Sequence, residues 1–158
     1  MFNFQEIDKK NTKKVLELVQ NRWGSDFIVS KGKKHFISDL DGFIVLENEE
    51  IKGLITYSIE GTECEIVSLD SFKENLGIGE ELIKLVETEA GKAGCKRIWL
   101  ITTNDNTRAL RFYQKRGFVI ENIHLNAIKE SRKIKPQIPE RGFGGIPILH
   151  EIELGKEL

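Results

Sequence analysis

Gly77 and Gly79 stand directly before a run of apolar residues with helical spacing, and this arrangement is suited to binding phosphate. The apolar positions are Leu82, Ile83, Leu85, Val86 and Ala90. The first amide groups of a helix lack partners within it, and the helix dipole favours an anion beside them. Glycine also lets a ligand approach the backbone and adopts positive φ at little cost. The spacing therefore predicts an anion site, with a plain strand-to-helix turn as the alternative.

Two other nucleotide-binding patterns are excluded at this turn. Leu82 occupies the place where a dinucleotide-binding loop has its third glycine, and no acidic residue closes a strand about twenty residues later. Neither Gly-Lys-Ser nor Gly-Lys-Thr follows the glycines, so the lysine and the magnesium ligand of a nucleoside triphosphate loop are missing. The turn is therefore interpreted as a site for a different phosphate-containing ligand.

A second motif, between Asn106 and Phe118, is suited to proton transfer. It reads Asn-x-x-Ala-x-x-Phe-Tyr-x-Lys-x-Gly-Phe. Asparagine caps helices well and glycine commonly ends them, so a helix is predicted over residues 107–116. Tyr113 lies near the end of this helix. Its hydroxyl is neutral at physiological pH, because the reference pKa of tyrosine is about 10, and it can donate a hydrogen bond or a proton.

Together the two motifs resemble the GNAT superfamily of acyl-CoA-dependent N-acetyltransferases. The resemblance extends from Phe43 to Phe118 by motif and more loosely over the whole chain. It implies an enzyme that moves an acetyl group from acetyl-CoA to a primary amine by direct attack in a ternary complex. The acceptor would be a small molecule or a peptide. A non-catalytic acyl-CoA-binding sensor or an interaction module of the same fold is the alternative.

The elements that must position these motifs follow from hydrophobic periodicity. Alternating apolar residues predict strands over residues 2–7, 42–47, 52–60, 63–70, 97–102, 118–125 and 148–154, whereas residues 24–41 predict no clear element. These patterns alone limit the fold to α/β or α+β. The topology comes from the resemblance, which implies a three-layer α+β (α/β three-layer) fold with a mixed, mostly antiparallel sheet of about seven strands. Helices would cover both faces of this sheet, in a single domain over residues 1–158.

The resemblance also implies where acetyl-CoA binds. The strand before the glycine turn would part from the strand after it, and the pantetheine arm would pair with the backbone of residues 66–69 like an added strand. The backbone N–H of Ser68 or Leu69 would stabilise the oxyanion. Asn106 and Phe112 would contact the pantetheine arm. The residues expected to hold the pyrophosphate are Asn75, Leu76, Gly77, Ile78, Gly79 and Glu80.

Two side chains are predicted to transfer protons. By the resemblance, Tyr113 is the general acid that protonates the departing thiolate or donates a hydrogen bond to it, and a tyrosine that only packs on the cofactor is the alternative. Glu63 and Glu65 share one strand face by the two-residue period, so either could serve as the base. We prefer Glu65, since it lies closer to the apolar centre of its strand, where burial would raise its pKa. The alternative is that both carboxylates are solvated.

Glu74 departs from the family pattern, which usually has a basic residue or a glutamine three positions before the first glycine. A carboxylate at this place repels a diphosphate. Because backbone N–H groups do most of the binding and salt screens exposed charges, weaker cofactor binding is expected rather than its loss. Lys73 would offset part of the repulsion.

A long insertion over residues 126–147 separates the last two predicted strands and contains all three prolines of the chain. A connection of this length in a compact domain is usually functional or disordered. Its basic residues Arg132, Lys135 and Arg141 are predicted to bind an acceptor that carries a carboxylate or a phosphate, because arginine pairs such groups in a fork. A solvated loop is the alternative.

Composition limits the remaining classes of function. The chain has 158 residues with 24 basic and 25 acidic side chains, and this balance predicts neither nucleic acid nor membrane as a partner. Cys64 and Cys95 are predicted to be free thiols of a cytoplasmic protein, since the N-terminus lacks a signal peptide pattern. The three histidines are isolated in the sequence, so no metal is expected beside acetyl-CoA. Monomer and homodimer both remain open.

Overall fold

The computed structural model describes residues 1–73 and 76–158, and in them it places nine strands and four α-helices. The strands are β1 (Asn3–Glu6), β2 (Phe27–Ser30), β3 (Lys33–Phe36), β4 (Asp41–Glu47), β5 (Glu50–Glu60), β6 (Glu63–Ser71), β7 (Arg97–Thr103), β8 (Val119–His124) and β9 (Glu151–Glu157). The helices are α1 (Thr12–Trp23), α2 (Ile78–Lys92), α3 (Thr107–Lys115) and α4 (Ala127–Ile134). Among the helices so described, none is long and apolar enough to cross a bilayer.

Seven strands form one mixed sheet in the order β1-β4-β5-β6-β7-β9-β8. In the described chain, β6 and β7 are its one parallel pair, and they are paired from Glu63 opposite Arg97 to Ile66 opposite Leu100. Beyond this point β6 continues to Ser71 and β7 to Thr103 without a further described pair between them. The expected mixed, mostly antiparallel sheet of an α+β fold is therefore confirmed, and its two central strands part at one end.

A β-bulge in β6 determines which side chains face each side of the sheet near this opening. Tyr57 pairs with Ile66 whereas Thr56 pairs with Ser68, so Val67 is the extra residue. Leu69 consequently packs on the same side as Ile66. Ser68 faces the opposite side, where its hydroxyl lies 2.6 Å from that of Thr56.

Apolar clusters pack on both faces of the sheet, as expected for a three-layer arrangement. On one face, α2 buries Leu82 and Val86 completely against the sheet. On the other face, α1 packs Val15 and Val19 against strand residues such as Ile44. Because successive side chains of a strand point to opposite faces, the same strands contribute residues to both clusters.

Residues 24–41, for which the sequence predicts no clear element, form a small separate sheet that consists of β2 and β3. Lys31 and Gly32 both have positive φ, 50° and 73°, which is typical of the two-residue turn of a hairpin. Each strand is only four residues long, so its alternation is too short to stand out in the sequence. The hairpin is held over β6 by a hydrogen bond from the Ser30 hydroxyl to Glu65.

Candidate active site

A pocket of about 450 Å³ lies where the start of α2, the length of α3 and the end of β6 meet, and we call it the helix-side pocket. Its lining residues are Leu69, Ser71, Lys73, Leu76, Gly77, Ile78, Gly79, Glu80, Asn106, Arg108, Ala109, Phe112, Tyr113 and Arg116. Most of the residues predicted to bind the cofactor are therefore brought together here with the predicted acid. Asn75, which was predicted to contact the pyrophosphate, and Glu74 lie outside the described residues.

The two loop glycines are required for different reasons. Gly77 is the N-cap of α2 and has a φ of 72°, a conformation that L side chains rarely adopt. Gly79 has an ordinary conformation, but a Cβ at this position would lie 3.0 Å from the Phe112 ring. Gly79 thus allows α3 to pack closely against the start of α2, and the side wall of the pocket depends on this approach.

Helix α3 is positioned by local signals that the sequence contains. The side chain of Asn106 caps it by accepting the N–H of Ala109 at 3.1 Å. Gly117, with a φ of 92°, follows the last turn. The predicted helix is therefore confirmed, and the side-chain oxygen of Asn106 is committed to the cap.

Three cations line the helix-side pocket, and two of them were missed from the sequence. Lys73 was considered there, whereas Arg108 and Arg116 were not. Arg116 donates to the Phe112 carbonyl at 2.9 Å, and its guanidinium lies 3.7 Å from the centre of the Phe112 ring. The sequence does contain a signal for them. Arg108, Phe112 and Arg116 are spaced four residues apart, and this spacing places them on one face of the predicted helix. The pocket is suited to an anionic ligand.

Tyr113 is held by aromatic neighbours at the base of this pocket. Its ring makes edge contacts with Phe112 and Phe118, at centroid distances of 5.3 and 5.5 Å. Only 8% of the residue is exposed. Burial raises the pKa of the Tyr113 hydroxyl well above its usual value, and the negative charge of Asp70 adds to the effect. The hydroxyl therefore keeps its proton over the physiological range and remains a donor.

A second cavity, of about 520 Å³, lies between the β2–β3 hairpin and the sheet, and we call it the hairpin-side cavity. Its lining residues are Ser30, Lys31, Lys33, His35, Ser58, Glu60, Glu63, Glu65, Arg97, Trp99 and Glu153. Along β6 and β7 the lining residues alternate with core residues such as Ile66 and Leu100, which pack towards α2. The two cavities therefore open on opposite faces of the sheet, near the place where β6 and β7 part.

Glu65, the predicted base, lies in the hairpin-side cavity. It is 8% exposed, and its Oε2 accepts the Ser30 hydroxyl at 2.8 Å. Burial raises the pKa of the Glu65 carboxyl, although the hydrogen bond from Ser30 acts in the opposite direction. His35 lies 3.8 Å away, but burial lowers the pKa of its imidazole, so it is neutral near neutral pH.

The three basic residues predicted to bind the acceptor are not brought together. Arg132 donates to three backbone carbonyl groups at 2.8 to 3.4 Å, and Arg141 donates to the carbonyl of Gly145 at 2.9 Å. Lys135 donates to the carbonyl of Phe27 at 3.2 Å, and burial lowers the pKa of its ammonium. Within the described chain none of the three lines either cavity. Their contacts hold the insertion and the hairpin in place.

The insertion is anchored beside the start of α3 by Asn104 and Asp105, the two residues that precede the capping Asn106. The side-chain oxygen of Asn104 accepts the N–H groups of Leu149 and His150, each at 2.9 Å. The Asp105 carboxylate accepts the hydroxyl of Thr103 at 2.5 Å and the N–H of Phe143 at 3.1 Å. The insertion therefore packs directly on the segment that leads from β7 into α3.

Replacing Gly142 with alanine is expected to destabilise the fold through this anchor. A Cβ on Gly142 would overlap the Asp105 carboxylate. Overpacking of this kind typically lowers the free energy of unfolding by about 1 to 3 kcal/mol. Urea unfolding of the two proteins would measure the difference.

Gly91→Ala is the matched control for this measurement. Gly91 lies within α2, and a Cβ there meets nothing within 4 Å. Because alanine is the better helix former, this variant should gain up to about 1 kcal/mol of stability. If Gly142→Ala were as stable as wild type, the described packing of the insertion on Asp105 would be wrong.

Comparison with known proteins places this arrangement among acetyltransferases. A family model, the acetyltransferase (GNAT) family, matches residues 12–118. The YdhI protein of Bacillus subtilis (strain 168) is 47% identical over 135 residues, which are 85% of this chain and 84% of that protein. The IAA acetyltransferase of Bacillus cereus has a TM-score of 0.75 at 19% identity, with 100% of both chains covered. A GNAT family acetyltransferase from Elizabethkingia anophelis with acetyl-CoA bound has a TM-score of 0.71 at 23% identity, over 99% of this chain and 98% of that one. At these identities the two structural likenesses concern the fold.

Proposed function

The chain is an acyltransferase of the acetyltransferase (GNAT) family, and we propose that it moves an acetyl group from acetyl-CoA to a primary amine. The amine would attack directly within a ternary complex, and residues 1–158 would act as one domain. One observation carries the proposal: two cavities lie on opposite faces of the sheet along β6, and β6 has no described pair with β7 beyond Ile66. Two reactants that enter from opposite faces would meet where these strands part.

The helix-side pocket is the proposed site of acetyl-CoA. The first amides of α2, from Ile78 to Glu80, would bind the pyrophosphate together with the loop before them. Gly77 leaves open space at this end of the helix. In the described part of the lining, three cations, Lys73, Arg108 and Arg116, stand beside one carboxylate, that of Glu80, and this excess of positive charge suits phosphate groups. Lys73 is paired with Glu47 at 2.6 Å and Arg116 with Glu80 at 3.8 Å, and the phosphates would share these cations.

The pantetheine arm would run from the start of α2 towards the opening in the sheet. Past Ile66, the β7-facing edge of β6 has no described partner, so its backbone can pair with the amides of the arm. Phe112 forms the other wall. The backbone N–H of Ser68 or Leu69 would then meet the negative charge that develops on the carbonyl oxygen.

Each of the two ionisable side chains has one proposed task. From the hairpin side, Glu65 would accept a proton from the acceptor amine, for which its raised pKa is favourable. From the helix side, Tyr113 would donate a hydrogen bond or a proton to the departing thiolate sulfur. Holding the two reactants together would contribute most, since such positioning can be worth about 7 to 11 kcal/mol.

Acetyl-CoA is expected to stabilise the protein against thermal unfolding. A ligand that binds only the folded state adds about 2.7 kcal/mol at 100 times its Kd. Differential scanning fluorimetry with acetyl-CoA, and with CoA as the comparison, would measure this effect. Release of free thiol in the presence of added amines would then measure transfer itself.

The two measurements separate the proposed enzyme from its alternatives. A stabilised protein that releases thiol with an amine supports acetyl transfer. Stabilisation without thiol release for any amine would indicate a sensor of acyl-CoA. If millimolar acetyl-CoA left the unfolding temperature unchanged, the proposed activity would be wrong.

A further inference from the structure

The charges that line the hairpin-side cavity show what kind of acceptor it suits. The carboxylates in the lining are Glu60, Glu63, Glu65 and Glu153, and the cations are Lys31, Lys33 and Arg97. Lys31 is paired with Glu153 at 3.3 Å, and Lys33 is paired with Glu60 at 3.2 Å. Both lysines therefore already have a carboxylate beside them.

Arg97 is even more fully occupied. It makes ion pairs with Glu63, with Glu121 at 2.7 Å and with Glu153 at 2.8 Å. One guanidinium thus serves three carboxylates. Among the described lining residues, no cation is left over for a carboxylate or phosphate of the acceptor. An anionic acceptor would have to displace one of these pairs, and that would leave a glutamate unpaired.

Glu65 is in the opposite situation. It is nine-tenths buried, and no described lysine or arginine forms an ion pair with it. Its Oε2 accepts the hydroxyl of Ser30, while its Oε1 lies 3.8 Å from the neutral imidazole of His35. A ligand that brings a positive charge would stabilise the ionised form of a buried carboxylate that has no ion-pair partner. An ammonium group in the cavity would supply this charge.

Two more carboxylates, Glu60 and Glu63, stand at the mouth of the same cavity, and each is already in an ion pair, Glu60 with Lys33 and Glu63 with Arg97. The described lining holds four carboxylates against three cations, so negative charge is in excess. The Glu60 and Glu63 side chains are 78% and 49% exposed, and the two residues face each other across β5 and β6.

Glu63 lies two residues before Glu65 on the same strand face, which separates them by about 6.6 Å along the strand. Trp99, directly opposite Glu65 on β7, also lines the cavity, and Lys31 and Arg97 lie 5.1 and 5.5 Å from the centre of its ring.

We propose that the acceptor is a short aliphatic diamine or a polyamine. Its reacting amine would lie against Glu65, and its second ammonium would share the Glu60 and Glu63 carboxylates at the mouth with Lys33 and Arg97. The methylene chain between them would pack on Trp99. This inference rests on the proposed acetyl transfer. The acceptor would carry a second positive charge, whereas the basic insertion predicted an acceptor with a carboxylate or a phosphate.

Three amines with the same carbon chain length test the charge of the acceptor directly. Putrescine carries a second ammonium, n-butylamine carries none, and γ-aminobutyrate carries a carboxylate in its place. With purified full-length protein and saturating acetyl-CoA, thiol release should give kcat/KM values in the order putrescine, n-butylamine, γ-aminobutyrate. Ion pairs at exposed carboxylates are worth up to about 1 kcal/mol, so putrescine is expected to exceed n-butylamine by up to about fivefold.

A single variant then locates the second ammonium. Glu60→Gln removes one of the mouth carboxylates and leaves Lys33 unpaired beside it. It is expected to raise KM for putrescine with little change in kcat, and to lower kcat/KM for putrescine by a larger factor than kcat/KM for n-butylamine. Glu130→Gln, an exposed glutamate paired with Lys133 on α4, changes the net charge equally and should affect neither amine.

Each outcome either supports or overturns the diamine acceptor. Preference for putrescine that Glu60→Gln reduces would support it. Equal rates for the three amines, a preference for γ-aminobutyrate, or no acetylation of putrescine would overturn it. Stabilisation by acetyl-CoA, measured in the same preparation, shows whether acetyl transfer as a whole has failed or only the assignment of the acceptor.

Discussion

The Tyr113→Phe variant is expected to lower kcat by roughly 10²-fold or more while acetyl-CoA binds as in wild type. The change removes one oxygen and keeps the ring that packs between Phe112 and Phe118. Because burial raises the pKa of this hydroxyl, it carries a proton throughout the pH range of the assay and can donate a hydrogen bond to the leaving thiolate. Steady-state thiol release would give kcat, and the thermal shift with acetyl-CoA would report binding.

Tyr57→Phe is the matched control for this variant, since the chain has only two tyrosines. Tyr57 is equally buried at 7% exposure, stacks on Phe43, and burial raises the pKa of its hydroxyl to about 12. It lines neither described cavity. Its variant should keep kcat near the wild-type value. A Tyr113→Phe enzyme with undiminished kcat would show that Tyr113 only packs in the pocket.

The Glu65→Gln variant is expected to lower kcat/KM at neutral pH by roughly 10²-fold, the usual contribution of a positioned base. Glutamine has the same shape and can still accept the hydroxyl of Ser30, but it cannot take a proton from the amine. In wild type, kcat/KM should rise as the pH passes through the raised pKa of Glu65. The variant should lose this rise, which a pH profile of thiol release would measure.

The stability of the same variant separates a catalytic role from a structural one. A carboxyl whose pKa is raised on folding favours the folded state at low pH, and this contribution is lost as the pH rises through the folded pKa. At neutral pH the buried charge therefore costs stability, and Glu65→Gln should unfold no more easily than wild type. At low pH the two proteins should converge.

Glu151→Gln provides the comparison at a second buried glutamate. Burial raises the pKa of Glu151 as well, but within the described residues it lines neither cavity. It should show the same pH dependence of stability and keep its activity. If Glu65→Gln retained the wild-type pH profile, Glu65 would have no part in proton transfer.

Much of the fold follows from short stretches of sequence. The glycine turn before α2, the asparagine cap of α3 and the alternating strands are each specified by residues within a few positions of one another. Gly77 illustrates this, because its positive φ is required by the turn itself. The family motif then implies the mixed sheet, in which β6 carries residues of both cavities and β7 carries residues of the hairpin-side cavity. The same local patterns identified most of the predicted cofactor residues that line the helix-side pocket.

Only the tertiary structure decided what faces the hairpin-side cavity. The extra residue Val67 changes the alternation of β6, so that Glu65 and Ser68 face the same side. The hairpin that brings Ser30 to Glu65 comes from the segment with the weakest pattern, and the positive charge of Arg97 is taken up by glutamates distant in sequence. Local propensity and hydrophobic periodicity depend only on residues that are close together in the sequence. The charge and burial of this cavity depend on strands that meet only after the chain has folded.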